Sequence, residues 1–304
     1  MSGLALSTMW GIGKYPNFAD FFSAGTNLGF KNFELNHGVN SAMLNGMQRN
    51  GYEITSVHEP CPADISVAQL KERDWFISSL EEENRKQGVA AVKRSIDLAQ
   101  KLGARAVIVH PGRVDLDAAP DATLRQLYRA GKAGTKEYAA IKEEFIAARA
   151  ARAEKNVDAV RRSIIELAEH ARTCGVRLGL EVRYHYFEIP LPDELELFLN
   201  LGYDEVLGFW YDVGHAETLD RMGFIPHEEW LKRFASRIVG VHLHDVIGID
   251  DHRAAGLGQV NWEMVARYLP VSALRTCEFQ NDNSAEQVVA GVKWLIEKDC
   301  VVPA

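Results

Sequence analysis

Along this chain, short runs of β-branched and other apolar residues alternate with longer stretches whose apolar positions recur every three or four residues. The short runs predict strands at Leu4–Thr8, Phe33–Asn36, Ile54–His58, Ala106–His110, Arg177–Glu181, Phe209–Asp212, Ile238–His244 and Leu274–Glu278. Between them, Val89, Val92, Ile96, Leu98, Ala99 and Leu102 fall close to one helical face. Ser284, with Gln287 three residues on, marks the capped start of a last helix that runs to about Lys298. Strict alternation of strand and helix implies a parallel sheet with helices outside it. Eight such repeats suit closure into a barrel. An open, doubly wound sheet is the competitor, but no Gly-x-Gly-x-x-Gly follows the first strand. The expected class is therefore α/β: a single (β/α)8 TIM barrel over residues 1–304.

Two connections are longer than barrel closure needs. Residues 60–83 follow the third strand, and residues 113–155 follow the fourth. The second predicts a helical insertion, with Leu124–Ala130 and then an Ala-rich charged stretch from Thr135. Both are βα connections and so belong to the mouth of the barrel, where such folds keep their active sites. A lid, a subunit-contact arm or an inert decoration all fit, and homo-oligomerisation is left open.

Composition adds bounds. The 304 residues are 47% hydrophobic and 25% charged, ordinary for a globular chain. Cys61, Cys174, Cys277 and Cys300 form no C-x-x-C pair, which suggests reduced thiols and a cytoplasmic location. No signal peptide and no membrane span are expected from the hydropathy pattern. The net charge of -8 disfavours a broad nucleic-acid surface, which needs clustered Lys and Arg.

Chemistry concentrates at the strand ends. The third ends in Ser56-Val57-His58, the fourth runs into His110-Pro111-Gly112, and the fifth ends in Leu180-Glu181. The sixth gives Asp212-Val213-Gly214-His215. The seventh gives His242-Leu243-His244-Asp245, followed by Asp250-Asp251-His252 and Gly256-Leu257-Gly258, and the eighth ends in Cys277-Glu278. Each residue alone has an ordinary structural role open to it; Asp212, for example, could cap the next helix. A barrel nevertheless brings all these ends to one mouth. His nitrogens with carboxylate oxygens form a ligand set for Zn²⁺, Mn²⁺, Co²⁺ or Fe²⁺, and converging carboxylates need a cation to offset their repulsion.

These motifs resemble the xylose-isomerase-like TIM-barrel superfamily. It includes sugar and sugar-phosphate isomerases and epimerases, and metal-dependent apurinic-site endonucleases. The most specific pieces are Asp212-Val-Gly-His215 and His242-Leu-His-Asp245 with the Asp250-x-His252 and Gly-x-Gly tail. The resemblance implies one divalent metal (Mn, Co, Mg or Zn) held by Glu181, Asp212, His242 and Glu278. It marks His58, His110, His215, Asp250 and His252 as candidate further metal or substrate ligands, as in the endonucleases.

The reading that follows is an isomerase or epimerase acting on a small sugar, sugar phosphate or polyol. A proton leaves next to a carbonyl, and a Lewis-acid metal stabilises the enediolate. The family's keto-sugar epimerases carry a second Glu six residues after the strand-five ligand. Here that position is Phe187 and the acid, Glu188, comes one later, so Glu188 and His185 are rival partners for Glu278 in proton transfer. Candidate substrate-binding residues are Trp10, Glu34 and His37 at the first two strand ends, and Arg113, Arg183 and Arg253, whose guanidinium forks suit phosphate or carboxylate. Trp10 could equally plug the barrel mouth. Cys277 should face the helices, and His244 is expected to be structural. A multi-zinc phosphodiesterase, a polyol dehydratase or lyase, and a binding protein without turnover remain as alternatives.

Overall fold

The computed structural model describes residues 3–15, 17–47 and 51–301. In chain order its strands are β1 (Leu4–Ser7), β2 (Asn32–Leu35), β3 (Glu53–His58), β4 (Ala106–Val109), β5 (Arg177–Glu181), β6 (Leu207–Asp212), β7 (Ile238–Leu243), β8 (Asp245–Ile247), β9 (Asp250–Arg253) and β10 (Leu274–Cys277). Eight of them close into a parallel barrel in the order β1-β10-β7-β6-β5-β4-β3-β2. The remaining two, β8 and β9, form an antiparallel hairpin that the hydropathy pattern did not mark. The expected strand ends run one residue long: His110, His244 and Glu278 lie just past their strands.

The two-residue pleat separates the faces of each strand. Phe33 and Leu35, Val57, Val107 and Val109, Leu178 and Leu180, Phe209 and Tyr211, and Cys277 face the surrounding helices and join the main apolar core. Alternate positions point inward. The barrel interior is filled by Trp210 with Ala106, Ile108, Val239 and Leu274. A Cβ at Gly240 would lie 2.1 Å from the Trp210 ring, and one at Gly179 would lie 2.8 Å from it. Glycine on the flanking strands is what lets the indole lie across the barrel. This packed layer is the floor of the site, and Trp210 meets His242 edge-on at 5.2 Å between ring centroids.

The connection after β4 is helical. It holds Ala119–Arg129 and Lys136–Ala150 before the barrel's own helix, Ala153–Cys174. Leu124, Tyr138 and Phe145 bury against Met222 and Ile249, which pins the insertion to the loops after β6 and β7. Polar ties reinforce the contact: the Tyr138 hydroxyl donates to the Met222 carbonyl at 2.9 Å, and Arg149 grips Glu194. The connection after β3 folds back along the long helix Glu82–Leu102 and contains the short helix Val67–Glu72. The last helix has its Ser284–Gln287 capping box and spans Ala285–Glu297. Among the described residues, no helix is long and apolar enough to cross a membrane, and the four cysteines are unpaired.

Candidate metal centre and substrate cavity

Inward-facing positions one layer above Trp210 carry the ionisable groups. Glu34, Glu181, Asp212, His242 and Glu278 are all at most 1% exposed. Strand register sets Asp212 opposite His242, Glu181 opposite Trp210, and Glu278 two residues beyond Thr276, the partner of His242; their side chains converge on the His242 ring. Nδ1 of His242 sits 2.9 Å from Oε1 of Glu181, 3.3 Å from Oδ2 of Asp212 and 3.2 Å from Oε2 of Glu278. Its Nε2 meets Oε1 of Glu34 at 3.0 Å. Burial alone would favour neutral carboxyls. Arg183 beside Glu181, and His215 and His244 around Asp212, outweigh it and hold both acids well below the usual carboxylate range. Burial opposes charge on His242 too, but Glu278 and Glu34 outweigh it and raise the imidazole well above its ordinary value.

Four buried carboxylates and one imidazole form a hard, oxygen-rich donor set of the kind that binds divalent cations. The residues fit a divalent metal. Asp212 also does the plainer job: its Oδ1 accepts from the N–H of His215 at 2.7 Å and caps the helix Val213–Arg221.

Two further groups flank this centre. On the β3–β4 side, Nε2 of His58 and Nε2 of His110 lie 3.1 Å apart, and His110 reaches Oε2 of Glu181 at 2.9 Å. On the β7 side, His215 and His252 each lie 3.6 Å from Oδ2 of Asp251. Both triads, His58–His110–Glu181 and His215–Asp251–His252, have donor atoms close enough to share an ion.

Several expected positions are corrected. Asp250 turns outward on β9 and pairs with exposed Arg129 at 2.8 Å, so its neighbour Asp251 takes the inward place. Trp10 is 1% exposed, donates to the Asn283 carbonyl and packs on Tyr15 and Phe21, so it is a plug and not a pocket wall. Arg253 faces away and pairs with Asp282. Glu34 is buried beneath His242, with Ser56 and Thr276 donating to it, and forms part of the carboxylate ring instead of a substrate wall. His244 belongs to the site network. Residues two apart on a strand share a face, so it follows His242 inward; its Nε2 meets both oxygens of Asp212 at 3.0 and 3.1 Å.

The remaining candidates line one cavity of about 270 Å³ that opens beside Glu181: His37, His110, Arg113, Arg183, His185 and Glu188. Arg183 joins the cavity to the centre, pairing with Glu181 and lying 3.6 Å from Glu188. Burial pushes the Glu188 carboxyl up, but Arg183 and His185 more than compensate and keep it ionised. Nδ1 of His185 meets Oδ2 of Asp121, a residue of the insertion, at 2.7 Å.

A sequence-family model for the xylose isomerase-like TIM barrel matches residues 24–298. The chain belongs to that family. Its relatives of known structure include a D-tagatose 3-epimerase-like protein (TM-score 0.68, 19% identical, covering 97% of this chain and 96% of the other). The 3-keto-D-glucoside 4-epimerase of E. coli gives TM-score 0.65 at 13% identity, covering 98% and 100%. The IolI protein, solved with a zinc atom, gives 0.64 at 14%, covering 98% of each chain. At these identities the likeness establishes the fold.

Within this xylose isomerase-like barrel, sequence reasoning passed over Glu59, Asp121, Asp251 and the network role of His244. Glu59 directly follows His58, yet it is buried and accepts from the His110 N–H at 3.0 Å; burial lifts its carboxyl to about 7. Its position right after a strand-end histidine was the available signal. Asp121 carried none, because only the folded insertion brings it to His185.

Proposed function

We propose that this protein is a divalent-cation-dependent isomerase or epimerase of a sugar, sugar phosphate or related polyol. The observation that carries this reading is the ring of buried carboxylates around His242 with a second, ionised carboxylate, Glu188, facing the adjoining cavity. Glu181, Asp212, His242 and Glu278 would hold the metal, which supplies Lewis-acid polarisation of a substrate carbonyl. Glu188 is the candidate base for the α-proton, a role that contributes about 10²–10⁴ in rate. Glu278 lies across the mouth and would return a proton on the opposite face. Arg183 keeps Glu188 ionised and steadies Glu181. His185, oriented by Asp121, is the rival proton carrier at the same rim. The names of the structural relatives, epimerases of keto sugars and a zinc-bearing protein among them, agree with this chemistry.

A specific observation favours a second reading: the flanking groups His58–His110 and His215–Asp251–His252 could extend the centre to several ions and support phosphodiester hydrolysis. Deuterium uptake from D₂O into a panel of ketoses, keto-glycosides and ketose phosphates distinguishes the two. Exchange at the carbon next to the carbonyl is expected. No exchange with any sugar at full metal loading, together with cleavage of an abasic-site oligonucleotide, overturns the isomerase reading.

A further inference from the structure

The cavity beside Glu181 has two unlike ends. Near the metal centre it is polar, with His110, Arg183 and Glu188. Its far end is mainly apolar, walled by Val67, Leu70 and Trp75 from the connection after β3 and by Ala91 and Val92 from the helix Glu82–Leu102, with Lys71 the charged residue among them. Phe76 lies between the two, with the Arg113 guanidinium over its ring at 5.2 Å.

Resting on the proposed function, we propose that this apolar end receives an aromatic group carried by the sugar substrate, so that the natural substrate is an aryl-substituted sugar rather than a bare ketose. A bare hexose would set most of its hydroxyls against Val67, Leu70, Ala91 and Val92, with Lys71 the polar side chain on that wall. A flat ring would instead bury apolar surface on both walls and pack against the Trp75 indole, one face of which the Arg73 guanidinium covers at 4.8 Å from the ring centroid. The slot is preformed. A Cβ at Gly88 would lie 2.5 Å from the backbone of Phe76, so helix and connection are clamped together, and small Ala91 keeps the floor open. The wall is also supplied by a segment that barrel closure does not require, as a specificity element would be.

Calorimetry on the metal-loaded protein tests this with phenyl β-D-glucopyranoside against methyl β-D-glucopyranoside. The phenyl glycoside should bind at least about tenfold more tightly. Ala91→Trp, which fills the slot, should abolish the preference, and Trp75→Ser should cut it to less than about threefold while keeping the fold, as read by urea midpoint. Equal affinities for the two glycosides, or a preference that survives both variants, overturns the proposal. Deuterium exchange into unsubstituted ketoses and into an aryl keto-glycoside, phenyl 3-keto-β-D-glucopyranoside, is read on the same samples. Exchange without aryl preference refutes the slot alone; aryl preference without exchange into any sugar upholds the slot and refutes the isomerase reading.

Discussion

Gly214, in the Asp-Val-Gly-His motif, gives a sharp test of how the centre is built. A Cβ at this position would lie 2.1 Å from Cε1 and 2.5 Å from Nδ1 of His244. Non-bonded carbons rest about 3.5–4.0 Å apart, so the ring would have to move by more than about 1 Å. That movement breaks the contacts of Nε2 with Asp212, at 3.0 and 3.1 Å, and the bond that Nδ1 accepts from the His252 N–H at 2.9 Å. A hydrogen bond to a charged group is worth about 1.5–3 kcal/mol and a neutral one about 1 kcal/mol. Alanine itself favours the helix Val213–Arg221 by up to about 1 kcal/mol over glycine, which offsets part of the loss. Gly214→Ala should therefore lose about 2 kcal/mol by urea denaturation. With Asp212 no longer steadied, Mn²⁺ affinity should fall about 10–100-fold, as for loss of an outer-shell partner. In a His244→Ala background the same substitution should cost almost nothing, because the clash is gone. Unchanged stability and Mn²⁺ affinity in Gly214→Ala, or an equal penalty in both backgrounds, would refute the reasoning.

Other expectations follow from the same geometry. Glu188→Gln should lower the exchange rate about 10²–10⁴-fold with metal affinity retained, measured by D₂O uptake and calorimetry. Gly240→Ala should destabilise by about 1–3 kcal/mol in urea, since its Cβ would enter the Trp210 ring. Asp121, buried but held below the ordinary carboxylate value by His185 and Arg125, stabilises the fold above the unfolded pKa of about 3.9 and loses that contribution as pH falls through the lower folded value. Asp121→Asn should thus lower the urea midpoint at neutral pH and flatten its decline on the acid side of that value. An unaltered acid limb would count against the Asp121–His185–Arg125 cluster.

Much of the fold was legible because its signal is local. Alternating strand and helix periods sufficed for the barrel, and polar residues at strand ends for a shared mouth; the resemblance to the family singled out Glu181, Asp212, His242 and Glu278 among them. The pleat likewise put Cys277 outside and Glu278 inside. What stayed hidden depends on long-range packing. Nothing in Asp250-Asp251-His252 says which acid faces in until the β8–β9 hairpin fixes the parity and Arg129, from the insertion, takes Asp250. Trp10 reads equally well as plug or platform until Tyr15 and Phe21 close around it. Glu34 sits at a strand end like its neighbours, but Ser56 and Thr276 draw its carboxylate downward, below the mouth. His244 keeps the structural role expected of it, and period-2 spacing from His242 is why that role is to hold Asp212 from the inward face.

The most direct measurement is Mn²⁺ titration of the chelator-treated protein, with stoichiometry from calorimetry and coordination from paramagnetic resonance. One tight ion per chain is expected, its affinity lowered at least about 100-fold in Glu181→Gln, since a direct ligand outweighs an outer-shell partner. No tight site, or an affinity indifferent to Glu181, would contradict it.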